Sequence, residues 1–293
     1  HFDLSRRSGS CAVPRSRLSP VEIFLFGKDG DSPSARYSAG FLLRPDAPRQ
    51  QADQNIIPAA PEQGRMDTAL RDAYIRLHEN YFPGTDLPIA FEVGDATEGV
   101  EKASAPKGWR CFLCDLTKVR NGKSLVFDEE SIGCRGGRFY LGYDAERFPD
   151  FRYFLSYGKP GEREGERYKQ TPEIVDSSTG EPPDTDEGKE QVFKRWDNLT
   201  ERDNPDAVVF FARPEVLSGL FMLANFDRSD PNGVIAPFGA GCSSVFYFPW
   251  LEQQNENPKA VLGMFDPSAR PCVPLDTLTM AFPMKKFTTH LSH

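Results

Sequence analysis

The stretch "DAVVFFARPEVLSGLFMLANF" (206–226) opens as an unbroken apolar run and passes at Pro214 into an amphipathic helical pattern. A run with no polar alternation is a strand covered on both faces, and proline at the first helical turn wastes no hydrogen bond because its missing N–H would be unpaired there. A buried strand feeding a helix is the unit of an α/β fold.

The same unit recurs outward from this stretch. Upstream, Leu70, Tyr74, Leu77 and Tyr81 fall at helical spacing, and that helix stops at "FPG" (82–84) before the short strand "PIAFEV" (88–93). "GWRCFLCDLTKVRNGK" (108–123) is predicted as a helix, "SLVF" (124–127) as a strand and "RFPDFRYFLSY" (147–157) as a helix. Downstream come "GVIAPF" (233–238), a helix in "SVFYFPWLEQ" (244–253), the strands "KAVLGMF" (259–265) and "LTMAF" (278–282), and a short basic helix near "PMKKFTTHL" (283–291). Alternating strands and helices predict an α/β fold with a mixed or mostly parallel sheet and helices on both faces. "SIGCRGGRFYLGY" (131–143) and "GAGCSSVFYFPW" (239–250) each set a cysteine after glycine and turn aromatic, so two similar half-domains are expected.

Two segments depart from this pattern. Residues 158–189 are polar, acidic and proline-bearing, and are expected as a mobile surface excursion of a single domain over 66–293. Residues 1–65 lack helical and strand periodicity, carry Lys28 as their only lysine and begin with His, ahead of Met66 and the first amphipathic helix. They are expected as a disordered tail or a mis-translated leader, with no function for Cys11.

Bulk properties exclude broad classes. Hydrophobic residues make up 39% of the 293 residues and charged residues 27%, and no apolar run approaches the ~20 residues that span a bilayer. A net charge of −8 without clustered Lys and Arg argues against nucleic acid. The chain starts with no signal-peptide pattern, so a cytoplasmic location is expected, where six cysteines are more often buried, metal-binding or reactive than disulfide-paired.

Four of those cysteines form the candidate site. Cys111 and Cys114 are three apart on a predicted helix and share a face, while Cys134 and Cys242 sit at the two glycine turns. Glycine-turn N–H groups and a helix N-terminus both stabilise a thiolate, and four convergent thiolates suit an iron–sulfur cluster, with zinc less apt. The alternative is that Cys111 and Cys114 are small buried hydrophobes and the other two pack tight turns. Cys272, between Pro271 and Pro274, is expected to be structural and without a partner.

The sequence also resembles a known family. "CDLTKVRNGKSLVFDEESIGCRGGRFYLGY" (114–143), the 206–226 stretch, "GCSSVFYFPW" (241–250) and "VLGMFDPSARP" (261–271), in that order, are similar to the uncharacterised prokaryotic domain of unknown function 169. The resemblance implies a soluble α/β protein with no established reaction, and it places Cys114, Cys134 and Cys242 at recurrent cysteine positions. The resemblance also implies a further cysteine, carried by many relatives, where this chain has Met264, a place for which Cys111 is the expected substitute.

Beyond the strand "KAVLGMF", Asp266, Ser268 and Arg270 stand where open α/β sheets hold ligands, and Arg138 lies beside the first glycine turn. These residues are expected to shape a pocket for a small anionic molecule; the alternative is a capped, salt-bridged loop. Signatures of dinucleotide or P-loop sites are missing, and the histidine positions suggest no Ser-His-Asp or Cys-His pair. Three readings follow: a cytoplasmic iron–sulfur or metal protein with an anionic pocket, a metal-free ligand-binding or sensory module with structural cysteines, and a thiol enzyme using Cys134 or Cys242.

Overall fold

The apolar run 207–212 forms a central strand of an eight-stranded sheet, where neighbours on both sides satisfy its backbone groups. This computed structural model describes residues 66–94, 99–183, 190–270 and 272–291, all of which fall within one compact unit. The expectations for residues 1–65, Cys11 included, lie outside the described residues. In chain order the elements are α1 (Thr68–Tyr81), β1 (Ile89–Gly94), β2 (Glu101–Lys102), α2 (Phe112–Arg120), β3 (Leu125–Phe127), α3 (Arg135–Tyr140), α4 (Phe151–Leu155), β4 (Gly158–Lys159), β5 (Arg163–Glu164), α5 (Pro172–Ser178) and β6 (Glu190–Arg195). They continue with β7 (Ala207–Ala212), α6 (Pro214–Asn225), β8 (Val234–Ile235), a π-helical segment (Ser243–Tyr247) running into α7 (Phe248–Gln254), β9 (Ala260–Gly263), β10 (Leu278–Pro283) and α8 (Met284–Leu291).

The strand order is β2-β3-β6-β1-β7-β10-β9-β8. Every inner pairing is antiparallel, and only the edge pairs β2–β3 and β8–β9 are parallel. The sheet is therefore mixed, and antiparallel pairing dominates it. Chain order against position reveals a repeat. Within β1 to β6 the main-sheet strands run centre, edge, next to edge, next to centre, and β7 to β10 retrace that path. Each half contributes four strands, and the halves meet at the antiparallel pair β1–β7.

Side-chain alternation feeds two cores. On one face Ile89, Phe91, Phe127, Phe193, Val209, Val261 and Ala281 pack with α2 and the π-helical segment, Phe91 stacking on Phe246 at 4.8 Å between ring centroids. On the other, Ala90, Val208, Phe210, Met280 and Phe282 meet α1, α6 and α8, where Tyr74, Trp196 and Phe287 cluster edge to face. Helices thus cover both faces.

Residues 158–183, expected as an excursion, hold the β4–β5 hairpin and α5. Thr171 accepts the Ile174 N–H and Pro172 occupies the first turn, so this short helix has both start signals, and Val175 is fully buried beneath it. Residues 184–189 lie outside the described residues.

Candidate functional site at the cysteine cluster

Cys111 caps α2 in extended conformation, and its carbonyl accepts the Cys114 N–H at 3.0 Å, which fixes both cysteines in the first turn of that helix. Cys134 caps α3, and its carbonyl accepts the Arg138 N–H at 3.0 Å. The two helix starts meet: the Phe112 N–H points at the Cys134 sulfur at 3.5 Å. This close approach requires glycine, because a Cβ on Gly137 would stand 2.8 Å from the Cys134 sulfur and 2.9 Å from Ile132 Cγ2.

Cys242 opens the π-helical segment. Pro249 has no N–H to offer the Val245 carbonyl, and the Phe248 N–H reaches back five residues to Ser243, so the chain widens here by one residue per turn. A Cβ on Gly136 would lie 3.9 Å from the Cys242 sulfur, so the start of α3 stands between Cys134 and Cys242. A Cβ on Gly241 would stand 2.5 Å from Leu113 Cδ1 and 3.1 Å from the Met264 sulfur, so α2 and Met264 close on the same point. Met264 has φ +69°, a left-handed conformation unusual for a residue with a side chain, and is only 1% exposed. It is pinned there: its N–H donates to Ser244 Oγ at 3.2 Å and its carbonyl accepts from Arg270 Nη2 at 2.7 Å.

Two sequence expectations about the cysteines are corrected. Cys114 does not stand free beside Cys111; its sulfur is bonded to Cys272, with 5.0 Å between Cα atoms and a sequence separation of 158. Cys272 therefore has a partner, brought to it because the loop after β9 passes the first turn of α2. The glycine turns of Cys134 and Cys242 are also not equivalent in the repeat. Cys242 begins the connection from β8 to β9, which matches Cys111 on the connection from β2 to β3, whereas Cys134 follows β3 as Met264 and Cys272 follow β9.

The three free thiols among the described residues differ electrostatically. The Cys111 thiol donates a hydrogen bond to the Cys134 sulfur, and this, helped by the N–H groups of Phe112 and Gly137, outweighs burial and lowers Cys134 to about 6. Cys111 is raised for the complementary reason: its proton is held by Cys134, and burial adds to the effect. Burial pushes Cys242 up, and the negative charge of Cys134 and Asp266 adds to it. Cys134 and Cys242 are 8% and 6% exposed, and Cys111 is half-buried.

The residues expected to form an anionic pocket are engaged by the chain itself. Arg270 donates to the carbonyls of Pro274, Thr277 and Met264, and Arg138 to Glu129, Asp144 and the Glu129 carbonyl. Asp266 accepts from Gly241 N–H, Ser268 N–H and Ser268 Oγ. As for a metal, thiolates are suitable donors, yet among the described residues no group of three or more His, Cys, Asp or Glu is placed to hold an ion. In this form the four-cysteine centre does not fit, because Cys114 is consumed by Cys272.

A family model described as "Uncharacterised ArCR", domain of unknown function 169, matches residues 87–293. The chain belongs to that family. No curated protein and no solved structure matches the chain. All five cysteines gathered here fall within the span shared with the domain of unknown function 169 family, whereas α1 precedes it. No described helix is long and apolar enough to cross a membrane. Sequence reasoning missed the Cys111–Cys134 contact and the role of Cys272; a proline-flanked cysteine in the loop leaving a buried strand was the available signal.

Proposed function

We propose that this chain performs thiol chemistry, with Cys134 as the reactive thiolate and Cys111 as its partner thiol. The observation that carries this reading is the meeting of two helix starts, capped by Cys111 and by Cys134, that sets the Phe112 N–H on the Cys134 sulfur beside Cys111 and favours the Cys134 thiolate. Toward an external disulfide, the Cys134 thiolate attacks one sulfur and expels a thiolate. Cys111 then attacks Cys134 in the mixed disulfide, expels the second thiolate and leaves a Cys111–Cys134 bond, so the external molecule is reduced by two electrons and the protein oxidised by two. A cytoplasmic location is part of the proposal, since disulfides in that compartment are mostly transient or catalytic.

The test is alkylation by iodoacetamide across pH 4–9, followed by peptide mass mapping. Cys134 should label fastest at neutral pH, with a midpoint near about 6, and Cys111→Ser should move that midpoint upward. Labelling of Cys134 no faster than an ordinary thiol at pH 7 would overturn the reading.

The second reading, an iron–sulfur or other soft metal centre, is favoured by one observation: Cys111, Cys134, Cys242 and Cys272 belong to or pack against the same core on one face of the sheet, with Cys114 bonded to Cys272. It requires the Cys114–Cys272 bond to be reduced first, so that Cys114 or Cys272 can join Cys111, Cys134 and Cys242. Anaerobic purification under reduction, with iron, sulfide and zinc assayed per chain, discriminates: a metal-free, colourless protein rejects it.

A further inference from the structure

The Cys114–Cys272 disulfide and the Cys111–Cys134 pair share the first turn of α2. Cys111 caps that helix and Cys114 is its third residue, so a bond between the two would close a ring within a single helical turn. Cys111 lies beside Cys134 and shares the first turn of α2 with Cys114, its carbonyl accepting the Cys114 N–H at 3.0 Å. Cys111, Cys114 and Cys272 are all half-buried, whereas Cys134 is buried, so the arrangement runs from an inner thiolate to a disulfide nearer solvent. Cys272 lies at the end of a short loop that runs on through the exposed Leu275.

We infer that Cys111 passes a disulfide between the outer Cys114–Cys272 bond and the inner Cys111–Cys134 pair. This rests on the thiol reading above and deepens it by naming the substrate that the inner pair meets within its own chain. In the first step the Cys134 thiolate takes the proton of Cys111, and the Cys111 sulfur attacks Cys114 Sγ. A Cys111–Cys114 bond forms, the Cys114–Cys272 bond breaks, and its electron pair leaves on Cys272, which takes a proton from water. In the second step Cys134, having returned its proton to water, attacks Cys111 Sγ. A Cys111–Cys134 bond forms, and the electron pair leaves on Cys114. One disulfide is present throughout, so the exchange needs no oxidant or reductant; its outcome is a reduced Cys114 and Cys272 in exchange for an oxidised inner pair. The outer dithiol is then free to meet an external disulfide, and by the reverse path an external dithiol can reduce the inner bond.

The experiment uses the full chain, stripped of metal by chelator and equilibrated in glutathione buffers of graded poise. Acid quenching, alkylation of free thiols and peptide mass mapping then identify which cysteines are paired. Three linkages are expected in the wild-type protein: Cys114–Cys272, Cys111–Cys114 and Cys111–Cys134. In Cys272→Ser the resting linkage should become Cys111–Cys114, and in Cys134→Ser the exchange of label between Cys272 and Cys111 should slow by tenfold or more. If Cys114–Cys272 stays intact while Cys111–Cys134 forms and breaks independently, the relay is wrong and the thiol reading stands. If Cys111–Cys134 never forms at any poise, the thiol reading itself fails. The mapping on unmutated protein decides the matter even if a variant does not fold.

Discussion

Cys134 sets the chemistry of the site: the Phe112 N–H points at its sulfur, and the neighbouring Cys111 thiol favours its charged form. Because its folded pKa lies below that of a free thiol, ~8.5, it adds nothing to stability below about pH 6 and adds progressively as pH rises from there to the free-thiol range. Cys111 acts with opposite sign: its raised value means that stability falls as pH climbs past the free-thiol range. Thermal midpoints of wild type minus Cys134→Ser should therefore grow between pH 6 and about 8.5 and shrink above it; a difference that is flat with pH would contradict the thiolate assignment. At this scale the sequence was informative about type and silent about pairing. Glycine before or after cysteine foretold tight turns, but nothing local indicates that Gly137 must be bare because the Cys134 sulfur lies 2.8 Å from where its Cβ would be.

At the scale of elements, the bond between α2 and the loop after β9 closes a loop across most of the domain, its ends separated by 158 positions in sequence. Constraining so long a loop in the unfolded chain stabilises the fold by about 2–5 kcal/mol. Reduction with a phosphine should lower the calorimetric midpoint accordingly, by several degrees, while Cys272→Ser should shift by less, because its Cys111–Cys114 bond closes only a short ring. Most elements were legible because their periodicity survives folding unchanged: β7, α6 and β10 lie where the apolar runs are. Helix α5 was not, although Thr171 and Pro172 announce it, because Val175 and Pro172 are its only buried anchors and the surrounding composition is that of a loop. The π-helical turn at Pro249 was also missed, since a proline inside a helical pattern marks a break without saying how the backbone closes it.

For the whole molecule, the repeated path of four strands makes the two halves alike in topology, yet they do not have separate cores. Phe246 comes from the second half and is fully buried against Phe91 and Phe193 of the first, at 4.8 and 6.3 Å between centroids. We expect Phe246→Ala to cost about 3–5 kcal/mol and to leave urea unfolding a single transition with coincident far- and near-ultraviolet signals. Two separated transitions would mean that the halves fold independently. The expected duplication was thus present, although the glycine-cysteine turns that suggested it occupy different slots in the two halves, Cys242 matching Cys111 and Cys134 matching the stretch of Met264 and Cys272.

Taken alone, the amino-acid sequence determined the element types, the α/β class and the family resemblance, because these depend on local periodicity and on residues close in the chain. Strand direction and the meeting of thiols were decided only by the tertiary structure. An apolar run has no mark of which neighbour it will pair with or in which sense, so the antiparallel interior was invisible beforehand. Likewise, which sulfur faces which depends on where the loops leaving β3 and β9 return to α2. That return is set by the order of eight strands, and it joins Cys114 to Cys272 while leaving Cys134 to Cys111.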